Sequence, residues 1–259
     1  MTLYNSQGLI VQDDFAENMS LGYGYDDSGE TNYTVIRIFR TKKDGTKQFP
    51  FIRYPGFESA EMLLRHEGWP LVMNAGLGWD AEIDGVAIEN GVVLHNPPAS
   101  YHTGAIPLTI DADGNLGVAS ASATAQEILT GDGNIVFATC GFCPLIIDYE
   151  PCSEFPDLSG VTAVAQRSIL GHFGNGDYAV ICSAGRTTDN SKGWLMEEAQ
   201  AVCQKLGLKF AYNFDGGTSS ALYVDKHPVY DNTQGSFRIV PSFLVFNGTS
   251  AFSIPPPKP

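Results

Sequence analysis

Basic residues are scarce in this chain and never form a block. Its 259 residues include 15 Lys and Arg against 29 Asp and Glu, which gives a formal net charge of −14. That charge repels polyanions, so we expect no nucleic-acid partner and no attraction to anionic membranes. No apolar run is long enough for a membrane span. An anionic ligand would therefore need a local basic pocket.

A signal peptide is also missing from the first residues. Asp13, Asp14 and Glu17 stand where such a signal has its apolar run. We therefore expect a cytoplasmic or phage-associated protein rather than one secreted through the Sec pathway, with loss of a signal from the given sequence as the alternative. The sequence does not indicate an oligomeric state.

Metal-ligand patterns are lacking as well. The pair Cys140-Gly-Phe-Cys143, followed by Cys152, has neither a second such pair nor a nearby histidine to complete a zinc set. These cysteines are interpreted as buried thiols, with a local disulfide as the alternative. The histidines show no ligand spacing, and no Gly-x-Ser-x-Gly elbow is present. We predict no metal and no cofactor.

Glycine and proline are plentiful, with 28 and 15 residues, and aromatic residues make up 11% of the chain. This composition favours strands and loops over long helices. The apolar runs predict an α+β fold, in which a mixed β-sheet core carries a few flanking helices and the polar motifs lie at strand ends. We expect an irregular segment over 1–30, one domain over 31–250 and an extended proline-rich tail over 251–259.

The most informative segment is 213–220, with the sequence Asn-Phe-Asp-Gly-Gly-Thr-Ser-Ser. Apolar runs on both sides predict that it joins two strands. Its two glycines allow unusual backbone conformations and a close approach of a ligand to the main chain. A plain hairpin would need only Asp215-Gly216 to turn. The additional amide and hydroxyl groups favour a sugar or phosphate site, with the plain hairpin as the alternative.

A helix is predicted over 192–206, capped by Ser191 and ended by Gly207. Helical geometry places Glu198 at the border of its apolar face, whereas the adjacent Glu197 points to solvent. Glu198 is therefore the acid that can face the sheet and the neighbouring loop. An ordinary border glutamate is the alternative.

Arg167 and Arg186 interrupt apolar strands, which is costly unless each guanidinium has a partner. Arg186 follows a glycine at a strand end, just before the loop into the predicted helix. A guanidinium there can bind a phosphate or carboxylate through two parallel hydrogen bonds. An internal salt bridge is the alternative for each arginine.

The order of these pieces resembles the phosphodiester glycosidase domain, which occurs in the lysosomal uncovering enzyme and in many bacterial and phage proteins. The strongest match covers about 160–246, and a weaker one is Asn74-Ala75-Gly76. In chain order the pieces of the strong match are Arg167 to Gly171, Gly185-Arg186, Ser191 to Gly193, Glu198, segment 213–220 and Arg238.

The chain departs from the family pattern at three places. Ala75 replaces a usual glycine, Leu77-Gly78 replace aromatic residues, and Thr218 replaces the third glycine of the usual Asp-Gly-Gly-Gly-Ser-Ser. These departures concern sugar specificity more than the fold.

The resemblance implies hydrolysis of the bond between a sugar's anomeric carbon and phosphate in a sugar-1-phosphodiester. Such a reaction needs cationic stabilisation of the phosphate and a carboxylate at the oxocarbenium-like centre or its attacking water. We assign the carboxylate to Asp215, the phosphate clamp to Arg167 and Arg186, and the second acid to Glu198, as general acid/base or as the group that orients Arg186. Sugar or phosphate binding is assigned to Asn74, Asn213, Gly216, Gly217, Thr218 and Ser219.

These residues are expected to converge on one pocket. Two other function classes remain open. A non-catalytic carbohydrate- or anion-binding module would keep the pocket but would tolerate loss of the acids. A phosphodiesterase that attacks phosphorus in a nucleotide-linked sugar would normally carry a metal-binding set of aspartates and histidines.

Overall fold

The computed structural model describes most of the chain, and its strands greatly outnumber its helices. The described residues are 3–4, 10–16, 18–79, 82–97, 104–185, 191–224, 226–231 and 238–246. The strands are β1 (Leu3–Tyr4), β2 (Ile10–Ala16), β3 (Met19–Tyr25), β4 (Asn32–Ile38), β5 (Pro50–Arg53), β6 (Leu71–Asn74), β7 (Gly78–Trp79), β8 (Glu82–Ile83), β9 (Ala87–Glu89), β10 (Val92–His95), β11 (Leu108–Asp111), β12 (Leu116–Val118), β13 (Ile135–Thr139), β14 (Cys143–Ile147), β15 (Glu150–Pro151), β16 (Ser168–Phe173), β17 (Tyr178–Ser183), β18 (Leu208–Asn213), β19 (Ala221–Val224), β20 (His227–Asp231) and β21 (Phe243–Phe246). The helices are α1 (Ala60–His66), α2 (Ala125–Thr130), α3 (Ser159–Thr162) and α4 (Met196–Lys205).

The strands form one large central sheet, two five-stranded sheets and the small β7–β8 ribbon. The central sheet has the order β1-β2-β3-β4-β17-β16-β18-β14-β15. The second sheet has the order β10-β9-β13-β11-β12, and the third has the order β20-β19-β6-β21-β5. Ladders among the described strands are antiparallel, as in the pairing of β16 with both β17 and β18. The predicted α+β class is confirmed.

The middle of the central sheet is buried on both faces. Every residue of β17 is buried, and alternate side chains of a strand point to opposite faces. Val180 therefore packs into a core shared with the third sheet and α1, whereas Ile181 packs into a core shared with the second sheet, α2 and α4. This two-sided burial explains why β17 is an unbroken apolar run rather than an alternating one.

The N-terminal part of the chain is more regular than expected. Residues 1–30 were predicted to be irregular, but β3 pairs with β4 along its whole length, and β2 pairs with β3. Met19, Leu21, Tyr23 and Tyr25 share one face of β3. The first two are buried and the last two are exposed, so the strand leaves the core towards its C-terminal end. The boundary predicted at residue 31 thus falls inside a continuous sheet. The tail 251–259 lies outside the described residues.

Helix α4 begins later than predicted. The segment expected to form its first turn is extended instead, because Trp194 bridges Ala165 through reciprocal main-chain hydrogen bonds. Ser191 does not cap the helix, since its hydroxyl accepts a hydrogen bond from the main-chain N–H of Asn32. The predicted end is confirmed, because Gly207 follows the last turn with a φ of 73°. No helix in the described part of the chain is long and apolar enough to cross a membrane.

The extended segment before α4 requires a glycine at position 193. Gly193 has a φ of +92°, and a Cβ there would lie 2.9 Å from the carbonyl oxygen of Ala165. We expect Gly193→Ala to lower the free energy of unfolding by clearly more than the roughly 1–2 kcal/mol that a left-handed alanine costs, because the main chain must also move. Urea denaturation measures the difference.

Gly207→Ala is the matched control. Gly207 has a similar φ of +73°, but a Cβ there meets nothing within 4 Å. Only the conformational cost applies, so we expect about 1–2 kcal/mol. Equal losses in the two variants would show that the contact with Ala165 contributes nothing.

Candidate active site

Segment 213–220 carries the chain from one sheet to another. It starts where β18 ends at Asn213 in the central sheet and finishes where β19 begins at Ala221 in the third sheet. Between them lies a short 3₁₀ turn over Gly217–Ser219. The plain hairpin considered as an alternative is therefore not what forms, because the two flanking strands belong to different sheets.

Both glycines of the segment are needed for close packing on the start of β16. A Cβ on Gly216 would lie 2.5 Å from the carbonyl oxygen of Gln166. Gly217 has a φ of 59° and donates its N–H to that same carbonyl. The Gly216 N–H donates to Asp215 Oδ1 at 2.8 Å. The two amides predicted to bind substrate thus have partners inside the protein.

Two buried asparagines support the segment from behind. Asn74 Nδ2 donates to the Asp215 carbonyl oxygen at 2.6 Å, and Asn74 Oδ1 accepts from the Ser168 hydroxyl at 2.7 Å. Asn213 donates to the Phe214 carbonyl oxygen at 2.7 Å. Both asparagine side chains are almost fully buried. Both were predicted to bind sugar or phosphate, but in the structure their amides bond to main-chain and side-chain groups of the protein.

Asp215 is the carboxylate of the segment, and its environment favours the neutral form. Burial raises the pKa of Asp215 above its usual range. A hydrogen bond from Ser219, the charge of Arg238 and the Gly216 N–H oppose this shift without cancelling it. A carboxyl group with a raised pKa at the wall of a cavity is typical of general acid/base sites.

Asp215 lines a cavity of ≈ 390 Å³, which we call the Asp215 cavity. One side consists of residues 215–219, and a second consists of residues between Leu158 and Ala165. The remaining lining residues are Leu77, Trp79, Asp84, Phe142 and Arg238. Among the described residues, the cavity thus holds two carboxylates, Asp84 and Asp215, and the guanidinium of Arg238.

The guanidinium of Arg238 is fixed at the cavity by two contacts. Its Nη1 donates to Thr218 Oγ1 at 2.6 Å, and its charge lies over the Trp79 ring at 5.7 Å from the centroid. Thr218, predicted to bind substrate, therefore holds a cation. Thr218 is one of the departures from the family pattern, and Trp79 directly follows another, Leu77-Gly78.

Arg167 was predicted to bind phosphate, but its side chain is fully buried. The guanidinium donates to the main-chain carbonyls of Gly160, Val161 and Ala163 at 2.7, 3.2 and 2.5 Å. Its Nε donates to the carbonyl of Trp194 at 3.1 Å. Arg167 therefore shapes one wall of the Asp215 cavity without lining it, because its guanidinium holds α3 and Ala163 in place from behind.

Glu198 likewise has a structural partner. Its Oε2 accepts from the main-chain N–H of Leu195 at 2.7 Å, which caps the start of α4, and Oε1 lies 3.6 Å from Lys192 Nζ. Glu198 is not among the lining residues of the Asp215 cavity. Its assignment as the second acid is corrected to a capping role, which a carboxylate at a helix N-terminus performs well. Arg186 lies outside the described residues.

Three cavity residues were not given a role from the sequence. Arg238 belongs to the family pattern, whereas Asp84 and Trp79 come from a short segment without regular periodicity. The only available signal for Trp79 was its position just after the weaker family motif. The paired contacts of Arg238 could not be inferred from spacing.

Metal-ligand groups do not cluster in the described residues. The cysteines considered for a disulfide are free thiols. Burial raises the pKa of Cys140 and of Cys143 to about 12, so both are neutral thiols. Cys152 is partly exposed, and burial raises its pKa as well.

Comparison with solved structures supports the fold. The catalytic domain of zebrafish N-acetylglucosamine-1-phosphodiester α-N-acetylglucosaminidase, auto-inhibited by its pro-peptide, aligns with a TM-score of 0.65 at 16% identity, over 93% of this chain and 84% of that one. A protein from Synechocystis described as hypothetical aligns with a TM-score of 0.67 at 13% identity, over 92% of this chain and 63% of that one. At these identities the likeness concerns the fold alone.

The sequence itself gives the family. No curated protein matches the chain in sequence. The family model for phosphodiester glycosidases, in contrast, matches residues 72–247, which is more than half of the chain and includes the Asp215 cavity's two carboxylates and its arginine. The chain belongs to the phosphodiester glycosidase family.

Proposed function

We propose that the protein hydrolyses the bond between the anomeric carbon of a sugar and the phosphate oxygen in a sugar-1-phosphodiester. The observation that carries this proposal is the placement of Asp215, a carboxyl group with a raised pKa, in one cavity with Arg238. The zebrafish relative of similar fold is named for such an activity on N-acetylglucosamine. An α-N-acetylglucosamine-1-phosphodiester is therefore the first substrate to test.

In the proposed reaction, the bond between the anomeric carbon and the phosphate oxygen breaks and the electron pair leaves with the oxygen. The products are free sugar and a phosphomonoester, with water supplying a hydroxyl group to carbon and a proton to solution. Asp215 stabilises the cationic carbon or takes the proton of the attacking water. Arg238 stabilises the phosphate as its charge grows.

Asp84 is the second carboxylate that we assign to the site, in place of Glu198. It lines the same cavity as Asp215, and its N–H donates to the Leu77 carbonyl at the base of the β7–β8 ribbon. Two carboxyl groups flanking the scissile bond are the usual requirement for glycoside hydrolysis. A phosphate leaving group lowers the need for a general acid, so Asp84 contributes less than Asp215.

The position of bond cleavage tests the proposed function directly. Hydrolysis in ¹⁸O-labelled water should place the label in the sugar, because water attacks carbon. Label in the phosphomonoester would show attack at phosphorus and would exclude the proposal. Binding of the diester without any release of sugar would identify a non-catalytic binding module instead.

Asp215→Asn should abolish turnover while largely preserving ligand binding. The substitution keeps the shape of the side chain but removes the carboxylate, and loss of a general base or its equivalent costs about 10²–10⁴-fold in kcat. Single-turnover assays and calorimetric binding of the diester measure the two effects. Glu198→Gln is the matched control, since it removes a carboxylate outside the cavity.

Glu198→Gln should keep kcat within a few-fold and should reduce stability by roughly 0.5–1 kcal/mol, because a neutral amide is a weaker cap for α4. If Asp215→Asn retains normal turnover while Glu198→Gln abolishes it, the catalytic carboxylate is misassigned.

Removal of the Arg238 charge should move the acidic limb of the pH profile. Arg238 lowers the pKa of Asp215 against the effect of burial, so Arg238→Ala should raise that pKa further. Asp215 must be ionised to act, and the rising limb of kcat/KM should therefore shift to higher pH. Arg238→Lys keeps the charge and should shift the limb less. An unchanged rising limb in Arg238→Ala would show that the charge of Arg238 does not affect the pKa of the catalytic carboxyl group.

Substitutions at Thr218 test whether its hydroxyl positions Arg238. Thr218→Val removes the acceptor at constant shape, and loss of a hydrogen bond to a charged group should reduce kcat/KM for the diester by about tenfold. Thr218→Ser keeps the hydroxyl and should stay near the parent value. Equal activities of the two variants would show that the Trp79 ring alone fixes the guanidinium.

A further inference from the structure

A second cavity lies beside the Asp215 cavity. Its volume is ≈ 510 Å³, and we call it the Leu94 cavity. Most of its lining is apolar or aromatic, with side chains from β8, β10 and two loops. The apolar and aromatic lining residues are Tyr54, Phe57, Ile83, Leu94 and Pro241.

The two cavities share a partition. In the β7–β8 ribbon, Trp79 lines the Asp215 cavity, and its pairing partner Glu82 lines the Leu94 cavity. Three positions apart on another segment, Arg238 lines the Asp215 cavity and Pro241 lines the Leu94 cavity. The contact of Arg238 with the Trp79 ring joins the two halves of the partition. The Asp215 cavity and the Leu94 cavity are therefore neighbours, with Arg238 and the β7–β8 ribbon between them.

The partition is thin at Gly78. A Cβ there would lie 2.8 Å from Pro241 Cγ and 3.0 Å from Phe57 Cζ. The main chain of the ribbon thus packs directly against two residues that line the Leu94 cavity. Gly78 is one of the positions at which the chain departs from the family pattern, and a larger residue there would need the two neighbouring side chains to move.

The Leu94 cavity is suited to an apolar group without negative charge. Its buried polar atoms are engaged with the wall, because the Tyr54 hydroxyl donates to the Ala138 carbonyl and His95 Nδ1 bonds the Gly85 carbonyl. Neither lysine nor arginine is among its described lining residues, whereas Glu82 is. An anionic group would be repelled there, and an aryl or alkyl group would be removed from water.

We propose that the Leu94 cavity is the subsite for the alcohol half of the phosphodiester, and that it selects an apolar, uncharged aglycone. This inference rests on the proposed function, in which the sugar and phosphate occupy the Asp215 cavity. A diester has two substituents on phosphorus, and the second one must leave the Asp215 cavity past Arg238. Beyond Arg238 this substituent reaches the Leu94 cavity, which lies on the other side of the shared partition.

The test compares three esters of α-N-acetylglucosamine 1-phosphate: methyl, benzyl and 4-carboxybenzyl. We expect kcat/KM for the benzyl ester to exceed that for the methyl ester by tenfold or more, since the ring is buried. The 4-carboxybenzyl ester should lose most of that advantage, because Glu82 lines the cavity and neither lysine nor arginine is among its described lining residues. A benzyl-to-methyl ratio near one in the parent protein would overturn the proposal.

Leu94→Lys places a cation in the cavity and should invert the preference. The 4-carboxybenzyl ester should become a better substrate than the benzyl ester, while the methyl ester changes little. Val92→Lys is the matched control: Val92 and Leu94 are both exposed on β10, with 41% and 46% of their surfaces accessible, but Val92 does not line the cavity. Identical ester preferences in the two variants would contradict the assignment.

The subsite can also be judged without turnover. Failure to hydrolyse even the methyl ester would count against the proposed function, and calorimetric binding of benzyl phosphate and methyl phosphate then tests the subsite alone. We expect benzyl phosphate to bind about tenfold more tightly, with the advantage reduced in Leu94→Lys and kept in Val92→Lys. Equal binding of the two phosphates would rule out the subsite.

Discussion

The buried guanidinium of Arg167 is the contact on which the candidate site depends. A charge in a fully buried position is tolerated only when its donors are satisfied, and here they reach the carbonyls of Gly160, Val161, Ala163 and Trp194. Gly160 and Val161 belong to α3, Ala163 follows this helix, and Trp194 belongs to the extended segment before α4. The guanidinium therefore ties α3 to the segment before α4, and it holds a wall of the Asp215 cavity in place.

The same principle applies to the crossing segment that carries Asp215. The main chain leaves the central sheet there, and the Asn74 side-chain amide takes the place of a neighbouring strand. It donates to the Asp215 carbonyl and accepts from the Ser168 hydroxyl and the Ala221 N–H. Buried polar groups of this kind are expensive when one partner is lost. They give a rigid base to Asp215, whose pKa is raised by burial.

The sequence predicted the elements whose causes are local. The glycines of segment 213–220 and the stop of α4 at Gly207 follow from backbone sterics, and both are found. The sequence placed Arg167 and Glu198 in the site because each is charged next to an apolar stretch. Their actual partners are main-chain groups, namely carbonyls in and just after α3 and the N–H of Leu195. A pattern of side chains does not show where such main-chain groups will lie. The roles of Asp84 and Trp79 depend on how a two-residue ribbon folds over the cavity, which no periodicity encodes.

The order of strands in the central sheet has a consequence for how the protein forms during synthesis. Strand β4 is flanked by β3 and by β17, and the pairing of Ile38 with Tyr178 joins residues about 140 positions apart. At a translation rate of roughly 5–20 residues per second, one edge of β4 waits for about 7–28 s before its partner is made. During that time the edge of β4 that later pairs with β17 has no partner strand. The central sheet can therefore close only late in synthesis, and pairings between residues so distant in sequence form slowly.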